Sequence, residues 1–177
     1  VSNRYLITDF PEEADVVIVN TCGFINDAKE ESINTLLKIA VYKRKNPNLK
    51  LIAIGCMVQK YWRELAEEIP EIDGLLGSNN ILTLPMVLEK IILGQKVCLV
   101  NSQLNISDVL IPRILSNQGP SSFLKIAEGC NNKCTYCAIP DLRGRYRSKG
   151  FSPLIKEAKF LVDKGIKEIS LVAQDIT

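Results

Sequence analysis

The chain has 177 residues, 46% of them hydrophobic, with 22 basic and 20 acidic side chains and a formal charge of +2. That composition suits a globular protein with a packed core and lacks the basic footprint of a nucleic-acid binder; no run approaches the roughly 18 consecutive apolar residues of a membrane span. Histidine is absent, which excludes histidine acid–base chemistry, Ser-His and Cys-His nucleophile pairs and mixed Cys/His zinc sites within these residues.

In chain order, short β-branched runs alternate with longer amphipathic stretches, the α/β pattern. Val1 to Phe10 lack the basic start and apolar run of a secretion signal, so the expected setting is cytoplasmic, without a membrane. Val16 to Val19 reads as a buried strand, and Ala28, Ile33, Leu36, Leu37, Ala40 and Val41 then fall near helical spacing, with Asn26 as the N-cap. Leu51 to Ile54 is a second strand and Val58 to Ile69 a second helix, closed by Pro70. Leu75-Leu76 is a third short strand, Pro85 to Leu93 a third helix and Lys96 to Val100 a further strand.

Residues 1–100 therefore read as one α/β domain, and 101–122, rich in Asn, Ser, Gln and Pro, as a linker. A second domain occupies 123–177: a strand over Phe123 to Ala127, a cysteine-rich loop, a helix opening at Ser152-Pro153 and capped by Gly165, and a strand over Glu168 to Ala173. Two strands cannot close or cover a sheet, so the natural protein is expected to continue past Thr177.

The strongest signal is Cys130-Asn131-Asn132-Lys133-Cys134-Thr135-Tyr136-Cys137, a C-x3-C-x2-C spacing in a loop directly after a strand. Six cysteines in a chain without secretory features point to metal ligands or catalytic thiols before disulfides. Structural zinc takes four closed ligands, usually as two separated pairs, and no second pair accompanies this trio. Three thiolates on a four-iron cluster leave one iron open for a cofactor or substrate. The bland alternative is three reduced thiols, or a zinc site completed by a partner. Cys22 and Cys56 each follow a predicted strand; parallel neighbours would bring both thiols to one sheet edge, as cluster ligands or as small buried hydrophobes. Cys98 lies inside a strand, where packing explains it. Arg143, Arg145 and Arg147 read as a solvated basic face, and Gln174-Asp175 follows the last strand with no assigned role.

The cysteine loop resembles that of the radical S-adenosylmethionine superfamily, in which it follows the first strand of a partial TIM barrel. Asn20-Thr21-Cys22 and Gly55-Cys56 resemble the two motifs of the N-terminal domain of the methylthiotransferase family. The implied fold class is α/β: an open parallel-sheet α/β domain followed by the start of a radical-SAM partial (β/α) TIM-like barrel. The resemblance implies that Cys130, Cys134 and Cys137 hold one 4Fe-4S cluster and that S-adenosyl-L-methionine chelates its open iron. Tyr136 holds the aromatic position near the cofactor adenine, or is an ordinary packing aromatic. Cys22 and Cys56 would hold an auxiliary 4Fe-4S cluster; the family's third ligand precedes them, and its absence here reads as N-terminal truncation.

Two further runs, Gly23-Phe24-Ile25 with Ala28 to Ser32, and Ile139-Pro140-Asp141-Leu142-Arg143-Gly144, are similar to the branch that modifies an aspartate of ribosomal protein S twelve. That implies methylthio insertion at an unactivated C–H bond, ribosomal protein S twelve as substrate, and a flavodoxin-like or ferredoxin-like electron donor. The alternatives are a transfer-RNA adenosine methylthiotransferase and a non-catalytic metal-binding fragment. The fragment alone is expected to be inactive.

Overall fold

The computed structural model describes residues 5–100, 113, 115 and 119–176, in two compact units, Val1–Gln103 and Leu104–Thr177. The linker expected over 101–122 lies mostly outside the described residues, and its last two, Ser121 and Ser122, already belong to a strand.

The first unit runs β1 (Val16–Thr21), α1 (Asn26–Lys45), β2 (Lys50–Gly55), α2 (Cys56–Glu68), β3 (Ile72–Gly77), α3 (Leu84–Ile92) and β4 (Val97–Leu99). The strands lie in the order β1-β2-β3-β4, every neighbouring pair parallel. Parallel neighbours need long crossovers, and the helices that supply them cover both faces of the sheet. Strand alternation in β2 decides which helix meets which residue. Leu51 and Ala53 pack with Leu36, Ile39 and Ala40 of α1 and Val58 and Leu65 of α2. Ile52 and Ile54 face the other way, onto Val87, Leu88 and Ile91 of α3. A strand buried on both faces cannot alternate apolar with polar, which is why Leu51 to Ile54 is a continuous apolar run.

Helix α1 carries Asp27 in its first turn and Lys43, Arg44 and Lys45 in its last, complementing its dipole. Its first residue is Asn26 and the cap position falls to Ile25, one residue before the expected cap. Asn26 Oδ1 accepts from Lys29 Nζ at 3.4 Å instead of capping a backbone amide. Cys98 also departs from expectation: β4 is an edge strand, and the thiol is exposed rather than packed.

In the second unit, β5 (Ser121–Lys125) pairs in parallel with β8 (Glu168–Val172), and α5 (Phe151–Asp163) precedes β8 in the crossover. Between β5 and α5, β6 (Ala127–Glu128) and β7 (Arg147–Ser148) form a short antiparallel pair around the cysteine loop and α4 (Ile139–Arg143). The single strand expected over 123–127 is two strands, because Ile126 turns its N–H to Val172 O (3.0 Å) before the chain leaves β5 for β6. Among the described residues of this unit, Leu124, Leu142, Leu161 and Ile166 are the buried apolar side chains beside Ala127.

Leu36 is fully buried between α1 and the sheet. Leu36→Ala should destabilise the first unit by about 2–5 kcal/mol in urea unfolding, through lost burial and the cavity left behind. Gly55 has φ of 110°, and a β-carbon there would sit 2.4 Å from Thr21 O. Gly55→Ala should therefore cost about 1–3 kcal/mol in the same measurement, since both the left-handed backbone and the clash oppose it.

Candidate metal centre

Two thiols emerge together from the first unit. In the β1–β2 ladder Thr21 is directly opposite Gly55, so Cys22 and Cys56 are the next residues on two adjacent parallel strands. Thr21 Oγ1 donates to Ile54 O at 2.7 Å, tying the strand ends to each other. The connections beyond them touch as well: a β-carbon on Gly23 would meet Cys56 C at 3.0 Å and Met57 N at 3.0 Å. The expected convergence of these two residues at one C-terminal sheet edge is what the register produces.

Their environments differ. Cys56 is buried at 4% exposure, where α2 starts directly from β2, whereas Cys22 is half-buried in the connection to α1. The Cys22 backbone N–H donates to Ser32 Oγ at 3.0 Å, and Ser32 Oγ donates in turn to Ala28 O at 2.7 Å. Ser32 is buried, so this hydroxyl fixes the Cys22 peptide to the first turns of α1. Ser32 stands in the sequence only as the end of the Ala28 to Ser32 run; a hydroxyl amid the apolar positions of an amphipathic helix is the signal that points to its bond with the Cys22 peptide.

In the second unit the cysteine loop leaves β6 at Gly129, whose φ is 79°; a β-carbon there would lie 2.3 Å from Arg145 O and 2.5 Å from Gly144 O. Only glycine lets the outgoing and returning chains come so close. The Cys130 N–H donates to Gly144 O at 3.2 Å, and Tyr146 N donates to Asn131 Oδ1 at 3.1 Å, so the first part of the loop is stitched to the chain entering β7. The last part closes on itself, with Cys137 N donating to Cys134 O at 3.1 Å. Cys130 and Cys137 are half-buried and Cys134 is exposed. Tyr136 is 90% exposed, so in this structure its ring is not packed into the core.

Two of the three arginines after the loop are structural rather than a solvated face. Arg143 Nη1 donates to Glu128 Oε1 at 3.0 Å, and Arg147 Nη2 donates to Arg143 O at 2.8 Å; Arg145 alone is exposed. Glu128 is itself buried and is also paired with Lys125, so two cations compensate a carboxylate that burial would otherwise make costly.

None of the six cysteines forms a disulfide. Among the described residues no three His, Cys, Asp or Glu side chains are gathered tightly enough to enclose a single metal ion. A tetrahedral zinc site would hold its thiolates about 3.8 Å apart, given Zn–S bonds of about 2.3 Å. A cubane binds each thiolate at a different iron and so needs them farther apart. The three thiols of the loop are undisulfided, two of them half-buried and one exposed.

The family model described as Uncharacterized protein family UPF0004 matches residues 1–77. The chain is 48% identical over 180 aligned residues to the ribosomal protein uS12 methylthiotransferase RimO of Clostridium botulinum, covering 100% of this chain and 40% of that relative. Its likeness to the RimO protein of Clostridium perfringens is 46% with the same coverages, and to that of Acetivibrio thermocellus 44%, covering 99% and 40%. The chain thus spans about 40% of the length of these relatives. Among solved structures, a radical S-adenosylmethionine methyltransferase, TsrM, from Kitasatospora setae has a similar fold, with TM-score 0.62 and 16% identity over 90% of this chain and 37% of that one. The similarity to ribosomal protein uS12 methylthiotransferases thus extends along the whole of this chain, at 44–48% identity, over about 40% of their length.

Proposed function

We propose that the protein to which these residues belong is an iron-sulfur methylthiotransferase that modifies an aspartate of ribosomal protein uS12. The observation that carries the reading is the trio Cys130, Cys134 and Cys137, undisulfided, in a loop that follows a strand of a parallel βαβ unit. Loops at that end of strands carry the chemistry in barrel-like folds. The three thiolates hold three irons of one 4Fe-4S cluster and leave the fourth for S-adenosyl-L-methionine, with Tyr136 exposed beside them to pack on the cofactor. Cys22 and Cys56 supply two ligands of an auxiliary 4Fe-4S cluster, the third coming from outside the residues given. Bound there, clusters and cofactor supply the one-electron chemistry that activates an unreactive C–H bond.

The residues of this chain position and shield. Gly129 and the Gly144 carbonyl fix where Cys130 leaves the sheet, and a backbone turn from Cys134 O to Cys137 N closes the end of the loop. Burial of Cys56 and the Ser32 clip on Cys22 hold the other pair at the strand ends. Electrons come from a flavodoxin-like or ferredoxin-like donor. A cytoplasmic setting follows from a ribosomal substrate and reduced thiols; among the described residues no helix is long and apolar enough to cross a membrane.

Full-length protein reconstituted anaerobically with iron and sulfide should bind about eight irons, the content of two four-iron clusters. Replacing Cys130, Cys134 and Cys137 by Ala should lower this to about four irons per chain, and a wild-type preparation holding only zinc would sink the reading. Incubated with S-adenosyl-L-methionine, a reductant and uS12, wild type should add one methylthio group to the protein, read by mass spectrometry; modification of transfer RNA instead would reassign the substrate. Ser32→Ala should release Cys22, costing about 1 kcal/mol of stability and speeding iron loss from the auxiliary site to a chelator, while Ser32→Thr keeps the hydroxyl and most of the iron.

A further inference from the structure

Gln174 and Asp175, just beyond β8, reach the cysteine loop from the neighbouring strand. Backbone pairing of β5 with β8 ends where Ile126 N donates to Val172 O at 3.0 Å. Beyond that point side chains take over. The Gly129 N–H donates to Gln174 Oε1 at 2.9 Å. Asp175 Oδ2 accepts from Asn132 Nδ2 at 3.0 Å and lies 3.4 Å from Cys130 Sγ, while the Asn132 N–H points at the same sulfur from 3.4 Å. Two consecutive residues thus hold the loop one residue before and two residues after Cys130.

We infer that Gln174 and Asp175 are positioning residues, a two-point clamp that fixes the Cys130 corner of the cluster and places a carboxylate beside its sulfur. The inference rests on the proposed cluster at Cys130, Cys134 and Cys137. A thiolate ligand carries no S–H, so in the loaded loop the Asn132 amide is the group that keeps Asp175 in place. Side chains around ligating sulfurs orient the ligand and, through charge and hydrogen bonding, set cluster potential. The exposed Cys134 end has no comparable support from β8 among the described contacts, which makes the Cys130 end the fixed point of the loop.

The test uses full-length protein carrying Cys22→Ala and Cys56→Ala, so that a single cluster is read, with iron loss to a chelator and an EPR-monitored redox titration as measurements. Gln174→Leu should shed iron several-fold faster than this parent, and Gln174→Glu should restore retention because its oxygen accepts the same Gly129 N–H. Asp175→Asn should keep the cluster and its spectrum but move its midpoint to a more positive value, since a negative charge leaves the vicinity of a centre that becomes more negative on reduction. Unchanged iron loss and unchanged midpoint in a loaded protein would overturn the clamp alone; so would a Gln174→Glu variant as leaky as Gln174→Leu. A parent that assembles no cluster would overturn the reading beneath it as well.

Discussion

The parallel pairing of β1 with β2, with Thr21 level with Gly55, is the constraint that decides where the first unit's two paired thiols emerge. Two strands that run the same way and stop together deliver whatever follows them to the same edge. Here cysteine follows each. The register is enforced from both faces, because β2 is apolar at every position from Leu51 to Ile54 and slipping by one residue would exchange its two helix contacts. Residues placed this way inherit the rigidity of the sheet, at the end of the strands where open α/β sheets bind ligands.

The second unit solves a related problem with a loop. Its trio of thiols cannot rely on strand register, since all three lie between β6 and α4. Order is supplied instead by a short antiparallel pair, by a glycine that lets two backbones meet, and by Leu142, fully buried, which anchors α4 just beyond the loop. The support is uneven along the loop: the Cys130 end is stitched to its surroundings, and the Cys134 end with Tyr136 is exposed.

The parallel βα units, and with them the shared edge of Cys22 and Cys56, were legible in the sequence because central parallel strands are written as unbroken apolar runs and the helices between them as 3.6-residue periods. The C-x3-C-x2-C spacing was equally plain. What escaped were features written in tertiary pairing. β6 and β7 are two residues each, too short for any period, and exist only because they meet. Gly129 and the structural roles of Arg143 and Arg147 depend on how the chain on either side of the cysteine loop comes back together, where local patterning carries no signal. Cys98 reads as a packed residue in the sequence because strand pattern alone does not say whether a strand is at the edge of its sheet.

The central claim is that Cys130, Cys134 and Cys137 hold a cluster with one iron left to the cofactor. Mössbauer spectroscopy of iron-57-loaded full-length protein, in a Cys22→Ala, Cys56→Ala background, tests it most directly. Adding S-adenosyl-L-methionine should alter the isomer shift of one iron in four while the other three keep theirs. Four irons that respond alike, or none that responds, would contradict the account.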